Sequence, residues 1–167
     1  MNQEIVEELI TRITTLKARD LPVRPLISVS EDLDCLEIFD KMLTHDPPIL
    51  KVVNDKGKYI GLLSLIDLLS FFAPITSSEL HDVIAHTHFG QCIEAGNLIT
   101  QNLPRVYDED SVKEISHLMF KYKTTFLPRA HTDKDKDIIG IILLRDIVSK
   151  FKELRDAMAE GSRGKGT

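Results

Sequence analysis

Two short stretches of the chain carry the same carboxylate in the same setting. The first reads Gly61-Leu62-Leu63-Ser64-Leu65-Ile66-Asp67, and the second Gly140-Ile141-Ile142-Leu143-Leu144-Arg145-Asp146. An aspartate three residues after Ser64 fits a helix capping box, a structural device worth about 1 kcal/mol. Leu143 has no hydroxyl and cannot cap, yet Asp146 stands where Asp67 does. Capping alone therefore does not account for both, although a first-turn aspartate is also favoured by the helix dipole. Neither carboxylate sits in a nucleophile–base constellation. The chain has no G-x-S-x-G, no phosphate-binding P-loop and no paired cysteine and histidine. The expectation is a binding protein and not an enzyme.

Other chemistry-bearing residues lead less far. His81, His86 and His88 lack a fourth ligand and regular spacing, so they read as surface or subunit-contact histidines and not as a zinc site. Cys35 and Cys92 are far apart and form no CxxC pair. That argues against a disulfide framework, and Cys35 reads as a core residue. The net charge of −5 lacks the basic footprint of a nucleic-acid binder. No apolar run approaches the roughly 20 residues of a membrane span. The start, MNQEIVEELI, has no basic region of a signal peptide. A cytoplasmic location is expected.

The carboxylates belong to an internal repeat. Aligning Val29 with Val106 pairs Glu31 with Asp108, Asp32 with Glu109, Glu37 with Glu114, Ile38 with Ile115 and Met42 with Met119. A two-residue insertion within HTDKDKD then brings Gly61 onto Gly140, Asp67 onto Asp146 and Phe72 onto Phe151. Each copy reads strand, helix, strand, strand, helix. Apolar stretches at 26–29 and 103–106 predict the first strands. Apolar positions Leu33, Leu36, Phe39 and Leu43, and Val112, Ile115, Leu118 and Met119, predict the buried faces of the helices. Glu31 and Asp32, and Asp108, Glu109 and Asp110, open them. Strands are expected at 50–53 and 59–63, and at 126–130 and 138–143, with last helices near Leu65 and Leu144. Ile5, Val6, Leu9, Ile10, Ile13 and Leu16 share one face of an N-terminal helix, which needs cover from its own core or a second subunit. Ser77 or Ser78 is placed to cap a short helix over 79–85.

These segments resemble the cystathionine β-synthase (CBS) domain, which occurs as tandem pairs. NLITQNLPRVYDEDSVKEI is similar to its opening strand and helix. KVVNDKGKYIGLLSLIDLL and PRAHTDKDKDIIGIILLRDIV are similar to its strand–turn–strand, glycine and terminal aspartate. The fold class implied is α/β, with two tandem CBS-type repeats and an N-terminal helix. The expected division is an N-terminal helix over 1–17, repeats over 18–75 and 95–155, a connector over 76–94 and a flexible tail over 156–167.

The resemblance also implies a site. Two equivalent clefts of the family hold AMP, ADP, ATP or S-adenosylmethionine, with the ribose gripped by a glycine–apolar–apolar–Ser/Thr–x–x–Asp motif. A carboxylate accepts from both vicinal hydroxyls of a ribose, and charge-assisted bonds are the stronger ones. On this reading one cleft uses Ser64, Ile66 and Asp67, faced by Thr100, Leu103, Pro104 and Arg105. The other uses Asp146 and Arg145, with Val23, Ile27 and Ser28, and Thr125 and Phe126 from its own strand. The Asp67 cleft is the better equipped, with its hydroxyl, carboxylate and opposing threonine. The family's strand proline is present as Pro128, but Lys51 stands at that place in the first copy. Thr125 and Phe126 replace the His/Arg phosphate pair of some members, which leaves phosphate to Lys51, Lys123, Arg105 or Arg145.

The function implied is a regulatory adenine-nucleotide sensor acting through conformation or dimer geometry, as a homodimer serving an unidentified effector protein. No cofactor or metal is expected. The alternatives are an interaction module with empty clefts and an S-adenosylmethionine binder.

Overall fold

The computed structural model describes residues 3–68, 94–99 and 102–163. In chain order these form α1 (Gln3–Thr15), β1 (Ser28–Ser30), α2 (Cys35–Thr44), β2 (Ile49–Val53), β3 (Tyr59–Ser64), α3 (Ala95–Leu98), α4 (Val112–Tyr122), β4 (Phe126–Arg129), β5 (Gly140–Leu143) and α5 (Leu144–Arg163). The expected α/β repeat is present. The helix expected over 79–85 and the three connector histidines lie outside the described residues.

The compact units are not the repeats as they run along the chain. One unit is continuous, Leu26–Asn102; the other joins Met1–Pro25 to Leu103–Thr167. The segment ahead of each first strand therefore folds with the other copy's body. The hydrogen bonds that hold it follow the repeat. Ala18 N–H donates to Asp110 O (2.8 Å) and Arg19 N–H to Asp108 O (3.2 Å). In the continuous unit the equivalent pairs are Ala95 to Leu33 O and Gly96 to Glu31 O, both 2.9 Å. Ala18 and Ala95 are fully buried at matching places. Residues 18–25, expected in the first repeat, thus pack with the second.

In the continuous unit β1 runs parallel to β2, and β2 antiparallel to β3. Its core is Val29, Ile38, Met42, Leu50, Val52, Leu63, Leu68, Ala95 and Leu98. The helix face differs in part from expectation, with Leu33 and Phe39 packed against this core as expected. Ile38 and Met42 are buried, whereas Leu36 and Leu43 are 66% and 81% exposed. The segment carries two apolar stripes at helical spacing, and only one can face the sheet. The helix begins at the N-cap Asp34, whose carboxylate accepts from Leu36 N–H (2.8 Å) and Glu37 N–H (3.1 Å). Glu31 and Asp32 precede that cap and do not open the helix. Cys35, expected in the core, is only half-buried.

In the other unit β4 pairs with β5, and Val106 meets Arg129 as an isolated parallel bridge. Proline chemistry accounts for the missing first strand. In the continuous unit Lys51 N–H donates to Ile27 O (3.0 Å). Pro128 occupies the corresponding place and has no N–H to give. Ser111 caps α4 in a capping box with Glu114, so Asp108, Glu109 and Asp110 again lie in the turn ahead of the helix. The Ser111 N–H and hydroxyl, both donating to Glu114, hold its carboxyl below the ordinary range. Val112, Ile115 and Met119 face the core as expected, with Leu118 partly buried. The α1 stripe is covered only in part by its own unit: Leu9 and Ile13 are buried and α1 packs on α4 and α5, while Ile5 and Ile10 stay exposed. The α5 backbone stays helical to Arg163, beyond the start of the expected tail at 156.

Candidate functional site

The Ser64–Asp67 motif begins where β3 ends. Leu62, Leu63 and Ser64 are buried, and Ser64 stands opposite Ile49 of β2. The chain then turns, with Leu68 N–H donating to Leu65 O (3.2 Å). This turn carries Asp67 back over the strand end. Its Oδ2 accepts from Ser64 N–H (2.7 Å) and from the Ser64 hydroxyl (2.8 Å). Both side chains are buried, Asp67 to 4% exposure. Two short bonds to one carboxylate oxygen fix its orientation before any ligand arrives. The half of a capping box in which the carboxylate accepts from Ser64 N–H is in place, so Asp67 serves the fold as well as any ligand. Leu65 and Ile66 stay exposed beside it.

Ile27 and Ser28 lie in the same unit, Ser28 exposed at the start of β1. Gly61 matters through contact: a Cβ there would meet Ile99 Cδ1 at 2.8 Å and Cγ2 at 2.9 Å. Only hydrogen lets residue 99 lie against β3. Thr100, the expected opposing hydroxyl, lies outside the described residues. Leu103, Pro104 and Arg105 belong to the other unit. Arg105 donates to Asp135 O (2.6 Å) and Lys136 O (3.1 Å), so its guanidinium is tied to the charged stretch HTDKDKD.

The second motif brings Val23, Thr125, Phe126, Arg145 and Asp146 into one unit, without Ile27 and Ser28. Leu144 N–H donates to Thr125 O (2.8 Å), which joins the end of β5 to the approach to β4. Arg145 and Thr125 are exposed, and Asp146 is 5% exposed. Sequence reasoning missed a partner for this carboxylate. Arg24 Nε donates to Asp146 Oδ2 (3.2 Å) and Nη2 to Oδ1 (2.7 Å). The Arg24 backbone is held by β5, exchanging two 3.0 Å bonds with Ile141. Gly140 permits that approach, since its Cβ would lie 2.4 Å from Arg24 O.

A further buried polar group sits in this unit. Arg129, 6% exposed, donates through Nη2 (2.8 Å) and Nε (3.1 Å) to Asp108 and through Nη1 to Leu21 O (3.3 Å). His131 Nδ1 lies 3.0 Å from the other Asp108 oxygen. Hydrogen bonds from His131 and then Arg129 hold the Asp108 carboxyl below the ordinary range. A charge inside the apolar run Phe-Leu-Pro-Arg-Ala was the sequence signal for such a partner. Among the described residues no group of side chains is arranged to hold a metal ion, and no helix is long and apolar enough to cross a membrane.

The comparisons agree with this architecture. The CBS domain model matches residues 18–74 and 95–153. A comparison with curated protein sequences gives no significant match. Among solved structures, the CBS domain of a membrane protein from Sphaerobacter thermophilus is 22% identical with a TM-score of 0.64, over 88% of this chain and 94% of that one. CBSX2 in complex with AMP is 22% identical with a TM-score of 0.64, over 84% and 98%. The CBS domain pair of protein MJ0100, in complex with 5'-methylthioadenosine and S-adenosyl-L-methionine, is 18% identical with a TM-score of 0.60, over 83% and 98%. With both copies matched and both glycine-to-aspartate motifs in place, the chain belongs to the CBS domain family as a tandem pair.

Proposed function

We propose that this chain is a regulatory module that binds an adenine nucleotide through the Asp67 motif and catalyses no reaction. The observation that carries this reading is the buried Ser64–Asp67 pair, with its carboxylate oriented in advance at the end of β3. Such a group suits a vicinal diol, because it supplies strong acceptors without further ordering cost. The adenosine compounds bound by CBSX2 and MJ0100 support the ligand class. The module acts in the cytoplasm as a homodimer and passes its state to an effector protein. Ligand binding shifts its conformation only to the extent that the ligand prefers one state.

Thermal shift with AMP, ADP, ATP and S-adenosylmethionine tests the proposal. At a ligand concentration 100 times Kd the folded state gains about 2.7 kcal/mol, readily seen as a rise in Tm. No shift with any of the four at millimolar concentration refutes it and favours an interaction module. A shift with S-adenosylmethionine alone replaces the nucleotide.

A further inference from the structure

We infer that Arg24 sets the ligand class of the second motif by taking its carboxylate out of ribose recognition. This rests on the proposed reading that the motif carboxylates receive ribose. The two motifs are equivalent in sequence position and unequal in what the carboxylate does. Asp67 accepts from a serine of its own motif. Asp146 has leucine at that place, and each of its oxygens accepts from the Arg24 guanidinium.

The geometry leaves Asp146 poorly placed for a diol. The Asp146 side chain is 5% exposed and that of Arg24 42% exposed, so the outer of the two side chains is the arginine. A guanidinium has donors and no acceptor. A ribose needs acceptors for its two hydroxyl protons, and here meets a donor surface instead. A paired, buried carboxylate also yields its arginine reluctantly, because the charge left behind is desolvated. Main-chain bonds to Ile141 on β5 hold Arg24 in place, with Gly140 allowing the approach. In sequence the position of Arg24 corresponds to Gln101 of the second copy.

Isothermal titration with AMP as the probe decides the matter. The wild-type chain takes one AMP per chain, and Arg24→Ala takes two. Arg24→Gln, which keeps a donor for the buried carboxylate, guards against loss of fold and also raises the number above one. Two AMP per wild-type chain overturns the inference, as does an unchanged count of one in both folded variants. If the wild-type chain and both variants bind none, the ribose reading itself fails and this inference falls with it. One site in the wild-type protein, lost in Asp67→Asn, with no gain on changing Arg24, refutes this inference alone.

Discussion

Replacing Gly140 by alanine tests how the second motif is assembled. Gly140 has φ +154°, a conformation side chains rarely adopt, and its added Cβ would lie 2.4 Å from Arg24 O and 3.0 Å from Arg24 C. Those atoms are backbone, pinned by the Ile141 N–H bond, so no side-chain rotation relieves the clash. Either residues 22–25 lift from β5 or the strand twists away. Backbone strain of this kind costs about 1–3 kcal/mol, and overpacking a tight contact about 1–3 kcal/mol more. Gly140→Ala should therefore lose about 2–6 kcal/mol in urea denaturation, a large share of the stability of a small domain. Two glycines calibrate the result. Gly61→Ala meets only the Ile99 side chain, which has rotamers to yield, and should cost about 1 kcal/mol. Gly57, at φ +71° with nothing within 4 Å, carries the left-handed penalty alone, about 1–2 kcal/mol. If Gly140→Ala costs no more than Gly57→Ala, the close packing of Arg24 on β5 is wrong.

Three further outcomes are expected. The lowered Asp108 carboxyl stabilises the fold at pH values above the ordinary carboxylate range, and that contribution is lost as pH falls through its folded value. Asp108→Asn should therefore flatten the acid side of the stability–pH curve, read by denaturation between pH 3 and 6; an unchanged slope contradicts the Asp108–Arg129–His131 assignment. On α2, Ile38→Ala should cost about 2–5 kcal/mol in urea, whereas Leu43→Ala should stay within about 0.5 kcal/mol; the reverse order would restore the other face. Ser64→Ala removes the hydroxyl bond to Asp67 but keeps the N–H bond, and should lower apo stability by about 1 kcal/mol in the same assay. A cost near zero would mean that Ser64 does not hold the carboxylate.

The repeat, the element order and both motifs were legible because they depend on local pattern. The α2 face was legible only in part, because Leu36 and Leu43 recur at helical spacing as faithfully as Ile38 and Met42, and the choice rests on which side packs against the sheet. The exchange of lead segments was hidden for a different reason. Ala18 to Asp110 and Ala95 to Leu33 are long-range backbone bonds that leave no periodic trace. Arg24 was missed on the same ground, since it meets Asp146 across 122 positions of sequence. The Ser64–Asp67 pair was legible as two alternatives, cap or ligand contact, and the geometry shows the carboxylate accepting from Ser64 N–H, one half of a capping box. A plain Asp67→Ala substitution would thus disturb the fold together with any ligand.

Asp67→Asn avoids that confusion, because an amide oxygen still accepts from Ser64 while the charge is gone. Calorimetric titration of the wild-type protein and Asp67→Asn with AMP is the most direct test of the central claim. Saturable binding by the wild-type chain, weakened about tenfold or more in a variant that stays folded, is the predicted result. Equal affinity in the two proteins, or no binding by either, would contradict it.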